Sequence, residues 1–393
     1  MVRYATLRER CANANAPYIL LQFCLLFNGA RCNVDALKCL LRTRETLMSK
    51  SQSTPICRTA QPSADFYSIF SDTEVLDIIK TLATRREISL KYSYKGQGAN
   101  IWDKFYLNYL RPRWDRPVNR EIALLKDNFE IITRKIPAVN TVNLIDVGAG
   151  NSYPVKQFIR RLHRFGKITR YIALDISEDL LKVSQQNIKK WFPHIEFISD
   201  RIDIENQSLS QTLLNHQVNL KTDDTAQIIL HLGVTMGNHH NRTAVLQNFR
   251  DSMGKQDVLV FTNEIGSNSQ WDGTVRGGLK FHVDQIYAWV KNALGIQAED
   301  CELVRKYDHK TDSIVATMKF RQNYRINFRL MGEDKCLEIA EDKEITIWRQ
   351  HKFEIPELVR EIEQAGLQVI HYKTDHYSSN IMVICEIDKL SCI

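Results

Sequence analysis

The chain has 393 residues, of which 44% are hydrophobic and 25% are charged, and its formal net charge is +7. This composition is ordinary for a soluble globular protein, and the length allows a substantial core and two domains. The positive excess is diffuse, with no long Lys/Arg run after residue 60, so we expect no nucleic-acid partner.

The first 60 residues differ from the rest of the chain. They hold five of the nine cysteines, and no cysteine belongs to a CxxC pair or a zinc-like spacing. An apolar run at residues 18–27 is too short to span a bilayer and lacks a clean Ala-x-Ala site after it. Because Met48 opens a polar stretch, one hypothesis starts the native protein there, and residues 1–60 are a disordered or mis-assigned leader. We expect free thiols, no membrane partner and a cytoplasmic location.

An amphipathic helix is the first element predicted after this leader, over residues 72–86. Its apolar side chains recur on one face, and a polar residue at its start can cap it. A segment rich in aromatic residues and glycine follows at residues 90–106, before a second predicted helix over residues 119–135. We assign residues 61–118 to the N-terminal part of a second domain.

A glycine turn follows the first predicted strand of the main sheet, residues 142–147. The strand ends in Gly148-Ala-Gly150, and an amphipathic run begins shortly after it. Such glycines let the backbone approach a ligand closely, and a helix start offers unpaired N–H groups to ligand oxygens. Asp146, in the last turn of the strand, can accept hydrogen bonds from a ligand amine or can cap the turn.

The second predicted strand, residues 171–176, ends at Asp175. An acid at this position of a βαβ unit typically holds ribose hydroxyls, although Asp175 can also cap the helix predicted over residues 178–191. The DxGxG pattern is not the full GxGxxG of a dinucleotide site. It favours S-adenosylmethionine (AdoMet) over a nicotinamide cofactor, and an α/β domain with an empty turn is the remaining alternative.

Strands and helices continue to alternate up to residue 265. A strand at residues 195–198 leads to Asp200 and Asp203, and two further strands are predicted at residues 226–232 and 258–262 with a helix at residues 242–253 between them. This alternation predicts a doubly wound α/β sheet, the Rossmann-like AdoMet-binding domain, over residues 119–265.

The pattern changes after this domain. A polar, glycine-rich loop and a helix precede period-2 strands at residues 313–330 and 343–349, which indicate an α+β insertion over residues 266–350. A last helix and a β-hairpin, within residues 351–393, are expected to complete the main sheet.

Three motifs resemble one known family. They are Asp146-Val-Gly-Ala-Gly-Asn-Ser, Leu232-Gly-Val-Thr-Met-Gly-Asn, and Lys91-Tyr-Ser-Tyr followed by Gly98, Ile101 and Trp102. The chain resembles, from about residue 88 to its end, the histidine-specific AdoMet-dependent methyltransferases, the histidine Nα-methyltransferase type of ergothioneine biosynthesis. The resemblance implies a class I methyltransferase sheet with a second α+β substrate domain.

The resemblance also implies roles for individual residues. It implies that AdoMet contacts Asp146, Gly148, Asp175 and Asp203, with Asp200 as the alternative to Asp203, and we add Gly150 of the same turn. It implies that the substrate is contacted by Tyr94, Gly233 and Asn238, and we add Trp102. Tyr94 can instead be a packing aromatic residue, and Asn238 can instead be a turn residue.

The chain departs from the family where the family holds histidine. Trp348 stands at a family glutamate and Gln350 at a family serine, while Arg113 or Trp114 takes the place of a tyrosine. Losing a buried carboxylate and gaining an indole changes what the pocket can pair. We therefore predict a small amine or amino acid other than histidine, and an aromatic substrate would suit Trp102, Trp114 and Trp348. Trp348 can also be plain core.

Transfer of a methyl group to an amine requires a neutral amine nitrogen. Tyr94 and Glu264 are the candidates for accepting its proton or fixing its lone pair, although Glu264 can instead pair with an arginine. The adjacent His239 and His240 invite a metal site, but neighbouring histidines point apart, so we expect no metal. We expect a monomer. The alternatives are methylation of a peptide, protein or natural-product intermediate, and a catalytically idle AdoMet-binding protein.

Overall fold

The computed structural model describes residues 57–110, 117–136, 139–218, 224–274 and 277–388. The strands in these residues are β1 (Cys57–Ala60), β2 (Thr141–Val147), β3 (Ile168–Asp175), β4 (Glu196–Arg201), β5 (Thr225–His231), β6 (Val258–Glu264), β7 (Cys301–Asp308), β8 (Ser313–Phe320), β9 (Asn323–Leu330), β10 (Glu333–Ile339), β11 (Glu344–Gln350), β12 (Leu367–Thr374) and β13 (Asn380–Ile387).

The helices follow the same order. They are α1 (Ala64–Ile69), α2 (Asp72–Arg85), α3 (Gln97–Leu110), α4 (Pro117–Asp127), α5 (Phe129–Ile132), α6 (Lys156–His163), α7 (Glu178–Trp191), α8 (Leu209–Asn215), α9 (Thr235–Asn238), α10 (Arg242–Asp251), α11 (Gly277–Ala293) and α12 (Ile355–Gln364). Two 3₁₀ turns, Leu90–Tyr94 and Ala298–Asp300, accompany them.

The main sheet has seven strands in the order β12-β13-β6-β5-β2-β3-β4. The five strands β2 to β6 run parallel to one another. Strand β13 lies between β6 and β12 and is antiparallel to both. Strand β2 is buried on both faces: Leu144 packs in a cluster with α4 to α6, and Ile145 packs with α8, α10 and α12. The doubly wound sheet and the closing hairpin are thereby confirmed, and helices on both faces explain the unbroken apolar strands.

Two smaller sheets lie outside this layer, in the orders β1-β9-β10 and β11-β8-β7. Their apolar faces share one core cluster with α1, α2 and α11. Strand β1 pairs parallel with β9, so residues 57–60 belong to a sheet and not to the expected leader. Residues 1–56, the rest of that leader, lie outside the described residues.

Several elements differ from the sequence prediction. The expected helix over residues 119–135 is interrupted at Asn128, whose side-chain amide donates to the carbonyl of Leu124 at 2.8 Å. The aromatic segment after residue 90 forms a 3₁₀ turn and helix α3. Strands β7 and β10 were not predicted, because both are sheet edges rich in charged residues and lack the apolar alternation of a half-buried strand.

The described part of the chain carries four cysteines, all with free thiols: Cys57, Cys301, Cys336 and Cys385. None of its helices combines the length and the apolar character needed to cross a membrane.

Candidate active site

A large cavity opens at the carboxyl ends of β2, β3 and β5, where ligands bind in open α/β sheets. It encloses about 1020 Å³, counting the space that is open to solvent. The predicted site residues in its lining are Tyr94, Trp102, Gly148, Gly150, Asp175, Asp203, Asn238 and Trp348. The cavity therefore brings together residues from the sheet, the segment before it and the insertion.

The glycine turn forms part of the cavity lining. Gly148 and Gly150 have φ values of +78° and +53°, in the left-handed region that favours glycine. A Cβ atom at Gly150 would lie 2.5 Å from the ring of Trp102, so a side chain cannot be added there without moving that ring. The backbone conformation and the packing against Trp102 thus both require glycine at position 150.

Asp175 holds the turn from the neighbouring strand. Its carboxylate accepts the N–H of Gly150 and the N–H of Ser177, both at 2.9 Å. Burial raises the pKa of Asp175 to about 6, although these backbone hydrogen bonds act in the opposite direction. Asp175 therefore contacts the start of the next helix and also lines the cavity.

The two candidate acids, Asp200 near the end of β4 and Asp203 just after it, face different surroundings. Asp203 lines the cavity and pairs with Lys91, whose Nζ is 2.8 Å from Oδ2. Asp200 lies outside the cavity lining and pairs with Nε2 of His216 at 2.8 Å. Since Asp200 is engaged away from the cavity, Asp203 is the acid that is placed to meet a cavity ligand.

Aromatic rings also line the cavity, and Trp102 lies against the glycine turn. Trp102 stacks on Tyr106 with 5.3 Å between ring centroids, and Trp348 is 4% exposed and also belongs to a core cluster. Burial, with the charge of Asp175, raises the pKa of the Tyr94 hydroxyl well above its ordinary value. The Tyr94 hydroxyl is therefore protonated at neutral pH. Asn238 adds a buried Oδ1 with no hydrogen-bond partner among the described residues.

A charged group that sequence reasoning missed lies beside Trp348. Both oxygens of Glu87 are engaged, one by Nε2 of His240 at 3.0 Å and the other by Arg349 at 3.1 Å. Burial alone would raise the pKa of Glu87, but His240 and Arg349 hold it below its usual value. The pairing register of β11 shifts between Thr346 and Trp348, so a simple alternating pattern does not predict which side chains of this strand face Glu87.

The adjacent histidines point to different partners. His239 contacts Nε2 of His231 at 3.1 Å and lies 3.6 Å from Glu205, whereas His240 contacts Glu87. Burial lowers the pKa of His231 to about 3, so that ring is neutral. No group of three or more His, Cys, Asp or Glu suited to a metal ion occurs in the described ranges.

Three predicted substrate or catalytic residues lie outside the cavity lining. Gln350 donates to Glu264 at 2.7 Å, and Lys352 lies 3.8 Å from the same carboxylate, so these side chains satisfy one another away from the cavity. Gly233 donates its N–H to Glu121 and to Thr262. Arg113 and Trp114 lie outside the described residues.

Asp146 is also absent from the cavity lining and lies buried at the end of β2. The hydroxyl of Tyr171 donates to its Oδ2 at 2.7 Å, and Oδ1 has no partner among the residues described. Burial, and to a lesser extent the charges of Asp175 and Glu121, raise the pKa of Asp146 to about 7 despite the bond from Tyr171. An unpartnered carboxylate oxygen of this kind suits a cationic ligand.

These residues fit AdoMet. The ligand carries ribose hydroxyls, a sulfonium and an amino-acid end, and the turn presents a buried acid, open glycines and an unpartnered carboxylate oxygen. Asp175 would hold the ribose and Asp203 the adenosine side. The fold, together with the family match given next, defines a class I AdoMet-dependent methyltransferase with AdoMet as its cofactor.

The family model described as "Histidine-specific methyltransferase, SAM-dependent" matches residues 74–270, which is half of the chain. The chain belongs to this family. None of the curated proteins matches the chain in sequence.

Solved methyltransferases are similar to the chain at low identity. One from Clostridium acetobutylicum has 10% identity and a TM-score of 0.42, with 73% of this chain and 98% of that chain covered. The CcbJ methyltransferase from Streptomyces caelestis has 10% identity and a TM-score of 0.40, with 69% and 96% covered. The glycopeptide N-methyltransferase MtfA has 10% identity and a TM-score of 0.36, with 67% and 94% covered.

Proposed function

We propose that the protein transfers the methyl group of AdoMet to the amine nitrogen of a small molecule or amino acid other than histidine. The observation that carries the proposal is a single cavity whose lining combines the glycine turn and Asp175 with Trp102, Trp348 and Asn238. The indole walls suit an aromatic or weakly polar substrate, since Trp348 stands where the family's histidine-binding glutamate is expected.

The chain's contribution to the reaction is orientation and exclusion of water. AdoMet, when bound, supplies a methyl group already activated by its sulfonium. Because the Tyr94 hydroxyl stays protonated, it would serve as a hydrogen-bond donor to the substrate and not as the base. Glu264 is less well supported as a base, since Gln350 and Lys352 occupy its carboxylate. The unpartnered Oδ1 of Asn238 would accept a substrate N–H.

The domain division follows from the same proposal. Residues 119–265 and 351–393 would form the AdoMet-binding unit, and residues 61–118 and 266–350 the substrate domain. We further propose that the protein acts as a monomer in the cytoplasm.

The test uses the full chain with a panel of amino acids and biogenic amines. AdoMet should raise the melting temperature, and mass spectrometry should find one compound that gains the mass of a CH₂ unit for each transfer. A thermal shift without any methylated product, histidine included, would favour a peptide, a natural-product intermediate or an idle binding protein. If histidine were methylated best, the exclusion of histidine would be wrong. Absence of any thermal shift with AdoMet would contradict the cofactor assignment.

A further inference from the structure

Three histidines of the described residues line the cavity and lie next to one another. His231, at the end of β5, meets the glycine turn, because a Cβ atom built on Gly148 would be 3.9 Å from its ring. His239 stacks on His231, with 5.3 Å between ring centroids and 13° between ring planes. His240 follows and contacts Glu87. His239 therefore packs directly on the ring that meets the glycine turn.

The hydrogen positions of His231 are fixed by its surroundings. Its Nδ1 is 2.8 Å from the carbonyl oxygen of Val147, which can only accept, so Nδ1 carries a hydrogen. Burial, with the charge of His239, lowers the pKa of His231 to about 3, so the ring is neutral and its Nε2 has a lone pair. This Nε2 is 3.1 Å from Nε2 of His239. Nε2 of His239 must therefore carry the hydrogen of this contact.

The other ring nitrogen of His239, Nδ1, faces a carboxylate. It lies 3.6 Å from Oε1 of Glu205, in the loop after β4. The same oxygen accepts the N–H of His240 at 2.6 Å, which fixes the carboxylate in place. Burial alone would raise the pKa of Glu205, but the hydrogen bonds and charges of His239 and His240 hold it at about 2. Nδ1 of a neutral His239 thus has a lone pair, and a proton added there would face a negative charge.

Other charged groups of this part of the cavity lining are paired with one another. The pairs are Glu87 with His240 and Arg349, and Lys91 with Asp203. Glu205 is therefore the acid that is placed to balance a positive charge on His239.

The proposed reaction needs a group that takes a proton from the substrate amine. The Tyr94 hydroxyl stays protonated, and Glu264 lies outside the cavity lining. His239 lines the cavity, has a side chain that is 11% exposed, and adjoins Asn238, the residue that would accept a substrate N–H. A substrate nitrogen held at Asn238 would thus lie near the ring of His239.

We propose that His239 is the proton acceptor of the reaction, with Nδ1 as the accepting atom and with Glu205 and His231 as positioning residues. The inference rests on the proposed function. One N–H bond of the substrate ammonium breaks, an N–H bond forms at Nδ1, and the electron pair stays on the amine nitrogen. The imidazolium then donates to His231 on one side and to Glu205 on the other, and it later returns the proton to water.

The kinetic test compares His239→Gln with wild type, using the full chain and the methylated panel amine. Glutamine keeps an N–H donor for His231 but cannot accept the proton. We expect kcat to fall about 100-fold or more, while KM and the calorimetric affinity for AdoMet stay within about threefold. The control is His216→Gln, because His216 also meets a carboxylate, that of Asp200, but lies outside the cavity lining. Its values should stay within about twofold of wild type.

The pH dependence separates a proton acceptor from a packing residue. In the wild type, kcat should decline toward low pH, because a ring that already holds a proton on Nδ1 cannot accept another. This decline should be absent from the residual activity of His239→Gln and present in His216→Gln.

A second measurement needs neither AdoMet nor turnover. Nitrogen-15 NMR of the wild-type chain with labelled, assigned histidine rings reports where each hydrogen lies. His239 should carry a hydrogen on Nε2 at every pH and on Nδ1 only in its charged form, and His231 should carry its hydrogen on Nδ1.

Four results would overturn this proton acceptor. They are a kcat within about threefold of wild type in His239→Gln, a loss of kcat with an unchanged pH profile, an equal loss of AdoMet affinity, and a neutral His239 with its hydrogen on Nδ1. If no panel amine were methylated, the proposed function would be wrong. The NMR spectrum would still decide whether Nδ1 is free to accept a proton, so the two failures are distinguishable.

Discussion

Two parts of the cavity lining, the proposed cofactor end and the proposed substrate end, are built in different ways. The cofactor end uses consecutive strand ends of one sheet, with Gly150 bonded to Asp175 on the next strand. The substrate end joins Glu87, just before the first 3₁₀ turn, to Arg349 on β11, 262 residues away. The first end rests on a parallel sheet that fixes its own geometry, and the second depends on how separate elements pack.

This difference separates the features that follow from the fold from the features that are particular to this protein. The sheet end supplies backbone N–H groups, glycines and acids that suit one cofactor. The packed end supplies indoles and a Glu87–Arg349–His240 group, and Trp348 stands where the family's glutamate is expected. Changes at the first end should therefore affect AdoMet, and changes at the second should affect the amine.

The largest effect is expected from Asp175→Asn. The amide keeps one acceptor oxygen, so one of the N–H groups of Gly150 and Ser177 loses its partner, and the ribose loses a charged acceptor. AdoMet affinity should fall about 100-fold, or about 2.7 kcal/mol. Calorimetry measures this, with Glu178→Gln, an exposed acid of the same loop and helix, as the control. An equal loss in the control would contradict the assignment.

A smaller effect on the other ligand is expected from Trp348→Ala. Removing an indole from the cavity wall should raise KM for the methylated amine about tenfold while AdoMet affinity stays within about twofold. Steady-state kinetics and calorimetry give the two values. Gln350→Ala is the comparison, because its side chain is bonded to Glu264 outside the cavity lining. If Gln350→Ala raised KM as much as Trp348→Ala, the description of the substrate end would be wrong.

A finer distinction concerns Asp200, near the end of β4, and Asp203, just after this strand. Asp203→Asn weakens the contact with Lys91 and removes a charge from the cavity, so AdoMet affinity should fall about fivefold. Asp200→Asn affects contacts with His216 and the N–H of Arg201, both outside the cavity lining, and should change the affinity less than about twofold. The reverse order of effects would make Asp200 the cofactor acid.

An effect on stability, not on binding, is the pH dependence due to Asp146. Its pKa is raised from 3.8 to about 7 in the folded protein, so the folded state favours the protonated acid. The stability this gives is present at low pH and is lost as pH rises through about 7. The free energy of unfolding of the wild type should fall relative to Asp146→Asn by roughly 1 kcal/mol per pH unit between pH 5 and 7. Urea unfolding of both proteins checks this, and parallel curves would contradict it.

The sequence carries more information about the first end than about the second. The strand before Gly148, the strand ending at Asp175 and the C-terminal hairpin all follow from local apolar runs and turns, and the structure contains them. The strands at the sheet edges, β7 and β10, have no such pattern because they are rich in charged residues and mostly not fully buried.

The charged residues of the substrate end could not be predicted for a related reason. Glu87, His240 and Arg349 are far apart in sequence, and a register shift in β11 breaks the alternation that would show which side chains face the cavity. The adjacent histidines were noticeable, but only the tertiary packing reveals that one meets Glu205 and the other Glu87.

The central claim is that the glycine turn and Asp175 bind the nucleoside of AdoMet while the indoles face the amine. A crystal structure of the full chain with S-adenosylhomocysteine tests it most directly. We predict ribose hydroxyls within hydrogen-bond distance of Asp175, with the sulfur directed toward Trp102 and Trp348. A nucleoside bound elsewhere, or a ribose that makes no contact with Asp175, would contradict the account.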